Sequence, residues 1–188
     1  MNILILGNGG REHTFCWKLS QSAQKPNLFI APGNAGTAQL GTNIDINPTD
    51  LEAVATAVSS HAIDLILVGP EAPLVAGVHD HIANHPTLSH VPVIGPKEEA
   101  AQLEGSKAYA KAFMERHNIP TAPYKQFDAQ SLNDGLAYLE TIPAPYVLKA
   151  DGLAAGKGVL IIHELEEAKT ALIDMLANKK FGAASEQV

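Results

Sequence analysis

The segment P-Y-V-L-K-A-D-G-L-A-A-G-K-G-V-L-I-I-H, residues 145–163, carries the most structural information in the chain. An extended apolar run stands before its glycines and a second stands after them. A phosphate loop of the Rossmann or P-loop kind must run from a strand into a helix, whose N-terminal amides and dipole hold the anion. Here the glycines join strand to strand. Gly152, Gly156 and Gly158 therefore predict a mobile hairpin flap, free of Cβ atoms, whose backbone N–H groups can close over a polyphosphate. Lys149 and Lys157 flank the flap and can bring positive charge to phosphate oxygens. The same residues also fit a long, loose hairpin with solvated lysines. The rest of the chain has to decide between them.

Around the flap the pattern is that of a small α+β unit. Leu165, Ala168, Leu172, Met175 and Leu176 recur at helical spacing and predict a helix over 164–177. Its acidic first turn suits a helix N-terminus. A second helix is expected over 131–140 and a short strand over 124–127. Before them, I-P-T-A-P at 119–123 forms a stiff, proline-rich connector. A helix over 105–117 precedes it, with Ser106 as N-cap. The expected division is therefore 1–122, a first domain with its linking helix, and 123–188, a unit of about 65 residues, near the lower limit for independent stability.

The first hundred residues alternate apolar runs with helical patterns. Runs at 2–6, 28–31, 64–68 and 91–94 read as strands, and the first is apolar enough to be buried on both faces. Helices are expected over 11–22, from Thr49 onward, and over 72–83. Thr49 with Glu52 forms a capping-box pattern, followed by the stripe Leu51, Val54, Ala55 and Val58. Such alternation predicts a Rossmann-like, doubly wound parallel sheet.

Three turns should then meet at the carboxyl edge of that sheet, where such folds place ligands. The first is G-N-G-G-R-E-H, residues 7–13, with Gly9, Gly10 and Arg11 at a strand-to-helix junction suited to an anion. It is not the dinucleotide fingerprint, because Glu12 stands where a glycine is needed, and the next strand ends without a ribose-binding acid. The second, A-P-G-N-A-G-T at 31–37, offers Asn34 and Thr37. The third, G-P-E-A-P-L at 69–74, offers Pro70 and the carboxylate of Glu71. Each alone also reads as an ordinary turn with no ligand.

Composition narrows the function classes. A net charge of -7 argues against nucleic-acid or anionic-membrane partners. The single cysteine, Cys16, cannot form an internal disulfide, which suits a reducing cytosol. It lies in an apolar helical pattern beside Trp17 and should pack in the core. No apolar run approaches a membrane span, and the N-terminus enters a strand with no room for a signal peptide. The expected location is the cytoplasm. His79, His81 and His85 share one predicted helix, and His81/His85 has zinc-chelating spacing, but no acidic or cysteine partner is apparent nearby. They read as a solvated or structural face. His13 reads as a helix-start residue rather than a general base.

The motifs at 7–13, 31–37 and 69–74, together with A-A-Q-L-E-G-S-K-A at 100–108 and K-A-D-G-L-A-A-G-K-G-V at 149–159, occur in one order. The set resembles the phosphoribosylamine–glycine ligase (glycinamide ribonucleotide synthetase) family of ATP-grasp enzymes across nearly the whole chain. The resemblance implies a pre-ATP-grasp domain followed by an ATP-grasp lid. It implies that Lys107, Lys149, Asp151, Gly152, Gly156, Lys157 and Gly158 bind ATP. It assigns Gly9, Gly10, Arg11, Asn34, Thr37, Pro70 and Glu71 to phosphoribosylamine. The implied reaction joins glycine to phosphoribosylamine with ATP and Mg2+ (or Mn2+). The family's metal ligands lie beyond Val188, so none is expected here. The chain then reads as an N-terminal fragment, inactive alone, and as a monomer or weak homodimer. Another ATP-grasp ligase or carboxylase, or a non-catalytic nucleotide- or sugar-phosphate-binding module, remains the alternative.

Overall fold

A computed structural model describes residues 1–152, 158–182 and 186–188. Contacts divide the chain into two units, Met1–Gln102 and Leu103–Val188.

The first unit is built on a five-stranded sheet. Its strands are β1 (Asn2–Gly7), β2 (Asn27–Pro32), β3 (Thr42–Asn43), β4 (Leu65–Val68) and β5 (Val93–Ile94), in the order β3-β2-β1-β4-β5. Every pairing is parallel. The central strand alternates its side chains between two cores, as period-two geometry requires. Ile3 and Ile5 pack with Leu28, Ile30 and Cys16 of α1 (Gly10–Ser20) on one face. Leu4 and Leu6 pack on the other with α2 (Leu51–Ser60) and α4 (Val78–Ala83). Both faces are covered, which is the doubly wound arrangement expected from the uninterrupted apolar run of β1.

Several boundaries differ from expectation for identifiable reasons. The helix expected over 72–83 is two helices, α3 (Glu71–Val75) and α4, separated by Gly77 in the left-handed region at φ 88°. α2 is capped by Asp50, whose carboxylate accepts from Ala53 N at 3.0 Å. Thr49 turns back to Asn47 Oδ1 instead. The short strand β3 and the helix α5 (Glu98–Gly105) have too few apolar residues to be read from periodicity. Ala101 is the residue that ties α5 to the first core.

The second unit comprises α6 (Lys107–Arg116), α7 (Leu132–Leu139), β6 (Tyr146–Lys149), β7 (Val159–Ile162) and α8 (Leu165–Leu176). β6 and β7 pair antiparallel, Tyr146 against Ile162 and Lys149 against Val159. Tyr146, Leu148 and Ile162 are buried with Ala168, Leu172, Met175 and Leu176 of α8. The strand expected over 124–127 is reduced to a single antiparallel bridge, Asp128 to Gln187. The two strands flanking the glycines are present; residues 153–157, including Gly156 and Lys157, lie outside the described residues.

Candidate functional site

Because all strands of the first sheet run parallel, their carboxyl ends share one edge, and strand order reverses between β1 and β4. Crevices at such reversals are where open α/β sheets hold ligands. The structure brings the three turns together there. Asn34 donates from Nδ2 to the Asn8 carbonyl at 2.8 Å and lies 3.4 Å from that of Gly9. Arg11 donates to the Gly69 carbonyl at 2.5 Å, using one of the five N–H groups of its guanidinium. Pro70 leads into α3, and Glu71 opens that helix half-buried. A cleft of about 500 Å³ along this edge is lined by Gly7, Asn8, Pro32 and Pro70, and by a wall at 45–49 that includes Asp45 and Asn47. That wall follows the unread strand β3, so nothing in the sequence pattern placed it here.

Glu12 holds the centre of the edge. It is a buried charged residue, 4% exposed, and its Oε2 accepts from Gly9 N at 2.6 Å. Glu12 is the third residue of α1, and its reach back to the residue before the helix is one half of a capping box. A Cβ on Gly69 would overlap this carboxylate, and one on Gly7 would lie 2.6 Å from Glu12 Cδ. Both strand ends are glycine because Glu12 fills the space. The Gly9 N–H is therefore engaged, leaving the leading N–H groups of Gly10 and Arg11 without an intrahelical acceptor. The sequence held this signal in the spacing of Gly9 and Glu12. One turn further along α1, burial pushes the Cys16 thiol up to about 11, and the negative charge of Glu12 adds to the effect against an opposing backbone hydrogen bond.

Thr37 is fully buried. Its Oγ1 accepts from Asn34 N at 2.7 Å and has Asn43 Oδ1 at 2.8 Å as an acceptor. Asn34 Oδ1 accepts from Gly36 N and Thr37 N at 2.8 and 3.0 Å. The side chains of Asn34 and Thr37 thus shape the second turn and tie it to the first. The His13 imidazole lies against Gly36 at the same place.

In the second unit, G-S-K meets K-A-D-G. Ser106 caps α6 by accepting from Tyr109 N at 3.0 Å, and its hydroxyl donates to Asp151 Oδ2 at 2.9 Å. Asp151 Oδ1 accepts from Lys107 N at 2.5 Å and Ala108 N at 3.1 Å. Lys107 Nζ donates to the Gly152 carbonyl at 2.9 Å. The Asp151 carboxylate is committed to the start of α6 by these three bonds. Beyond β6, Ala150 N donates to the carbonyl of Gly158, which is buried. Lys149 stands on the open face of the hairpin beside Val147, Val159 and Ile161, which are 46%, 41% and 65% exposed. The alternation of 146–149 encodes this apolar strip next to a lysine. Lys111, one helical turn after Lys107, donates to Thr121 Oγ1 and the Ala122 carbonyl at 2.7 and 2.8 Å. Burial holds its pKa below the usual lysine value, and the charge of Lys149 adds to this.

Among the described residues no three His, Cys, Asp or Glu side chains are grouped so that they could hold a metal ion. His79 Nδ1 is 2.7 Å from the Gly95 carbonyl, and His81 Nε2 is 3.6 Å from Glu52. Nor, among those residues, is any helix long and apolar enough to cross a membrane.

Residues 1–104 match the family model of the phosphoribosylglycinamide synthetase N domain, and residues 105–188 match that of its ATP-grasp (A) domain. The phosphoribosylamine–glycine ligase of Yersinia pestis is 50% identical over 190 aligned positions, covering 100% of this chain and 43% of that protein. The ligase of Escherichia coli K12 is 48% identical with the same coverage. The chain thus spans less than half the length of the curated relatives it matches. The crystal structure of the Thermotoga maritima ligase aligns with a TM-score of 0.74 at 31% identity, over 100% of this chain and 42% of that one. A biotin carboxylase domain from Hydrogenobacter thermophilus aligns at 0.72 with 20% identity, over 97% of this chain and 42% of that one, a likeness of fold alone. With both of its halves matched by consecutive domains of one enzyme, the chain belongs to the phosphoribosylglycinamide synthetase family.

Proposed function

We propose that this chain supplies the phosphoribosylamine site and the ATP lid of a phosphoribosylamine–glycine ligase acting in the cytoplasm. The observation that carries the reading is the junction of Lys107, Asp151 and Gly152 beside the open face bearing Lys149. Asp151 fixes the start of α6 and Lys107 fixes the entry to the glycine segment, while the apolar strip of Val147, Val159 and Ile161 offers a flat surface to a nucleobase. Lys149 and Lys107 supply charge to phosphate oxygens. The family resemblance adds Gly152, Gly156, Lys157 and Gly158 to the ATP-binding residues.

In the proposed reaction the glycine carboxylate attacks the terminal phosphorus of ATP, forming an acyl phosphate and ADP. The amine of phosphoribosylamine then attacks the acyl carbon, loses a proton and expels inorganic phosphate. A bare carboxylate is a poor electrophile, and phosphorylation gives it a leaving group. The lysines offset charge on the moving phosphoryl group, and a closed lid excludes water from the intermediate. At the other site Gly10, Arg11 and Glu71 hold the sugar phosphate, in a loop frame set by Gly9, Asn34, Thr37 and Pro70. A divalent cation belongs to the chemistry of such ligases, but among the described residues no three His, Cys, Asp or Glu side chains are grouped to hold one.

The test is ADP release by the protein extended to the length of its relatives. Release should require both glycine and phosphoribosylamine. Lys149→Met should lower kcat/KM at least about tenfold, roughly 1.4 kcal/mol of transition-state stabilisation, without lowering the Tm. Release independent of phosphoribosylamine would mean a different ATP-grasp reaction, and no nucleotide affinity at all would leave a sugar-phosphate-binding module.

A further inference from the structure

We infer that Glu12 is the positioning residue of the sugar-phosphate site: its buried carboxylate, rather than the glycines alone, sets the first and third turns so that the N–H groups of Gly10 and Arg11 stay open at the exposed start of α1. The inference rests on the proposed sugar-phosphate reading of that edge.

Three observations converge on it. Glu12 is only 4% exposed, although a carboxylate is costly to bury without compensation. It receives compensation from the Gly9 N–H at 2.6 Å, a charge-assisted bond, and from its place in the first turn of α1. Its side chain also occupies the volume that Cβ atoms on Gly7 and Gly69 would need, so the ends of β1 and β4 close around it. Those two strands flank the reversal of strand order. Arg11, its neighbour, bridges to the same Gly69 from outside at 2.5 Å.

The consequence is a division of labour within G-N-G-G-R-E. Gly9 turns its N–H inward to Glu12 and cannot offer it to an anion. The next two residues, Gly10 and Arg11, are exposed, and their N–H groups have no intrahelical acceptor. A residue of the same shape that still accepts from Gly9 should keep the arrangement, whereas a shorter one should release Gly9 and let the two turns drift apart. The charge itself is not what the site needs, since a negative group beneath an anion opposes binding.

The experiment uses this 188-residue chain, with ribose 5-phosphate as the probe. Backbone amide NMR follows Gly10 and Arg11 on titration, and hydrogen exchange follows the Gly9 amide without ligand. In the unmodified chain Gly10 and Arg11 should shift saturably and Gly9 should be protected. Glu12→Gln should bind within about threefold and keep Gly9 protected. Glu12→Ala should bind at least tenfold more weakly and lose that protection, with the amide shifts of the β1 core and of the second unit unchanged. Equal binding by Glu12→Ala, or equal protection of its Gly9, overturns the inference, as does failure of Glu12→Gln to bind. Should Glu12→Ala not fold, Glu12→Asp, one methylene shorter, takes its place in the same comparison; if that also fails to fold, the residue is a core residue and the positioning role falls. If the unmodified chain shows no shifts, the sugar-phosphate reading fails, and exchange at Gly9 alone then decides whether Glu12 couples the turns.

Discussion

Cys16 lies one turn beyond Glu12 on α1 and is fully buried. Burial leaves the Cys16 thiol with no water to stabilise a thiolate, so its pKa rises from 9.0 to about 11. The folded state therefore holds this proton more tightly than the unfolded chain does. The associated stability is present in full below pH 9 and is lost as pH rises toward about 11, by up to roughly 3 kcal/mol. Urea unfolding from pH 8 to pH 11 should show the native chain losing stability faster than Cys16→Ala, which has no thiol to titrate. Parallel curves for the two would mean that the thiol is solvated. Glu12 shows the limits of reading single residues. In the sequence it registers as a glycine missing from a dinucleotide fingerprint, because motif logic asks what is absent at a position. Its role depends on Gly69, 57 residues away, whose lack of a side chain leaves the carboxylate room. No local pattern encodes that meeting.

Elements were legible where the period of the apolar residues was clean. β1 and β6–β7 follow directly from their runs, and α8 from its stripe, because burial on a strand or helix face imposes those periods. Caps and breaks were less so. Asp50 and Thr49 are both good N-caps, and the choice falls to the side chain that reaches Ala53 N. Gly77 separates α3 from α4 only because the chain adopts φ 88° there. Ser106, the N-cap expected from the sequence, caps α6, yet a second cap, Asp151, comes from 45 residues along the chain. Asp151 bonds to the hydroxyl of Ser106 and to the N–H groups of Lys107 and Ala108. Asp151→Ala should destabilise the second unit by about 1–2 kcal/mol, the range of a lost helix cap. Chemical denaturation followed at amides of α6 and α8 would measure it. An unchanged midpoint would show the α6 N-terminus to be satisfied by solvent instead.

On the scale of the whole molecule, the change of architecture was legible because two different periodicities succeed one another, parallel βα repeats and then a hairpin with helices. Less legible was the set of groups that chemistry would require at once. Phosphoryl transfer to a carboxylate concentrates negative charge between ATP and the acceptor, and enzymes of this kind offset it with cations as well as backbone donors. The described residues place Lys107 and Lys149 at the junction of α6 with β6, with Lys111 nearby but engaged by Thr121 and Ala122, and the Asp151 carboxylate is already engaged by the helix start. These lysines can hold a nucleotide, but they leave several kcal/mol of transition-state charge stabilisation unsupplied. We therefore expect the 188-residue polypeptide to bind ATP weakly, with amide shifts at Lys107, Lys149 and Gly152, and to form no glycinamide ribonucleotide. The assay is coupled ADP release with glycine, phosphoribosylamine and either Mg2+ or Mn2+ present. Steady turnover by the purified polypeptide would show that the groups needed for charge compensation are within these residues. ATP shifts without turnover would instead locate nucleotide capture here and the chemistry elsewhere.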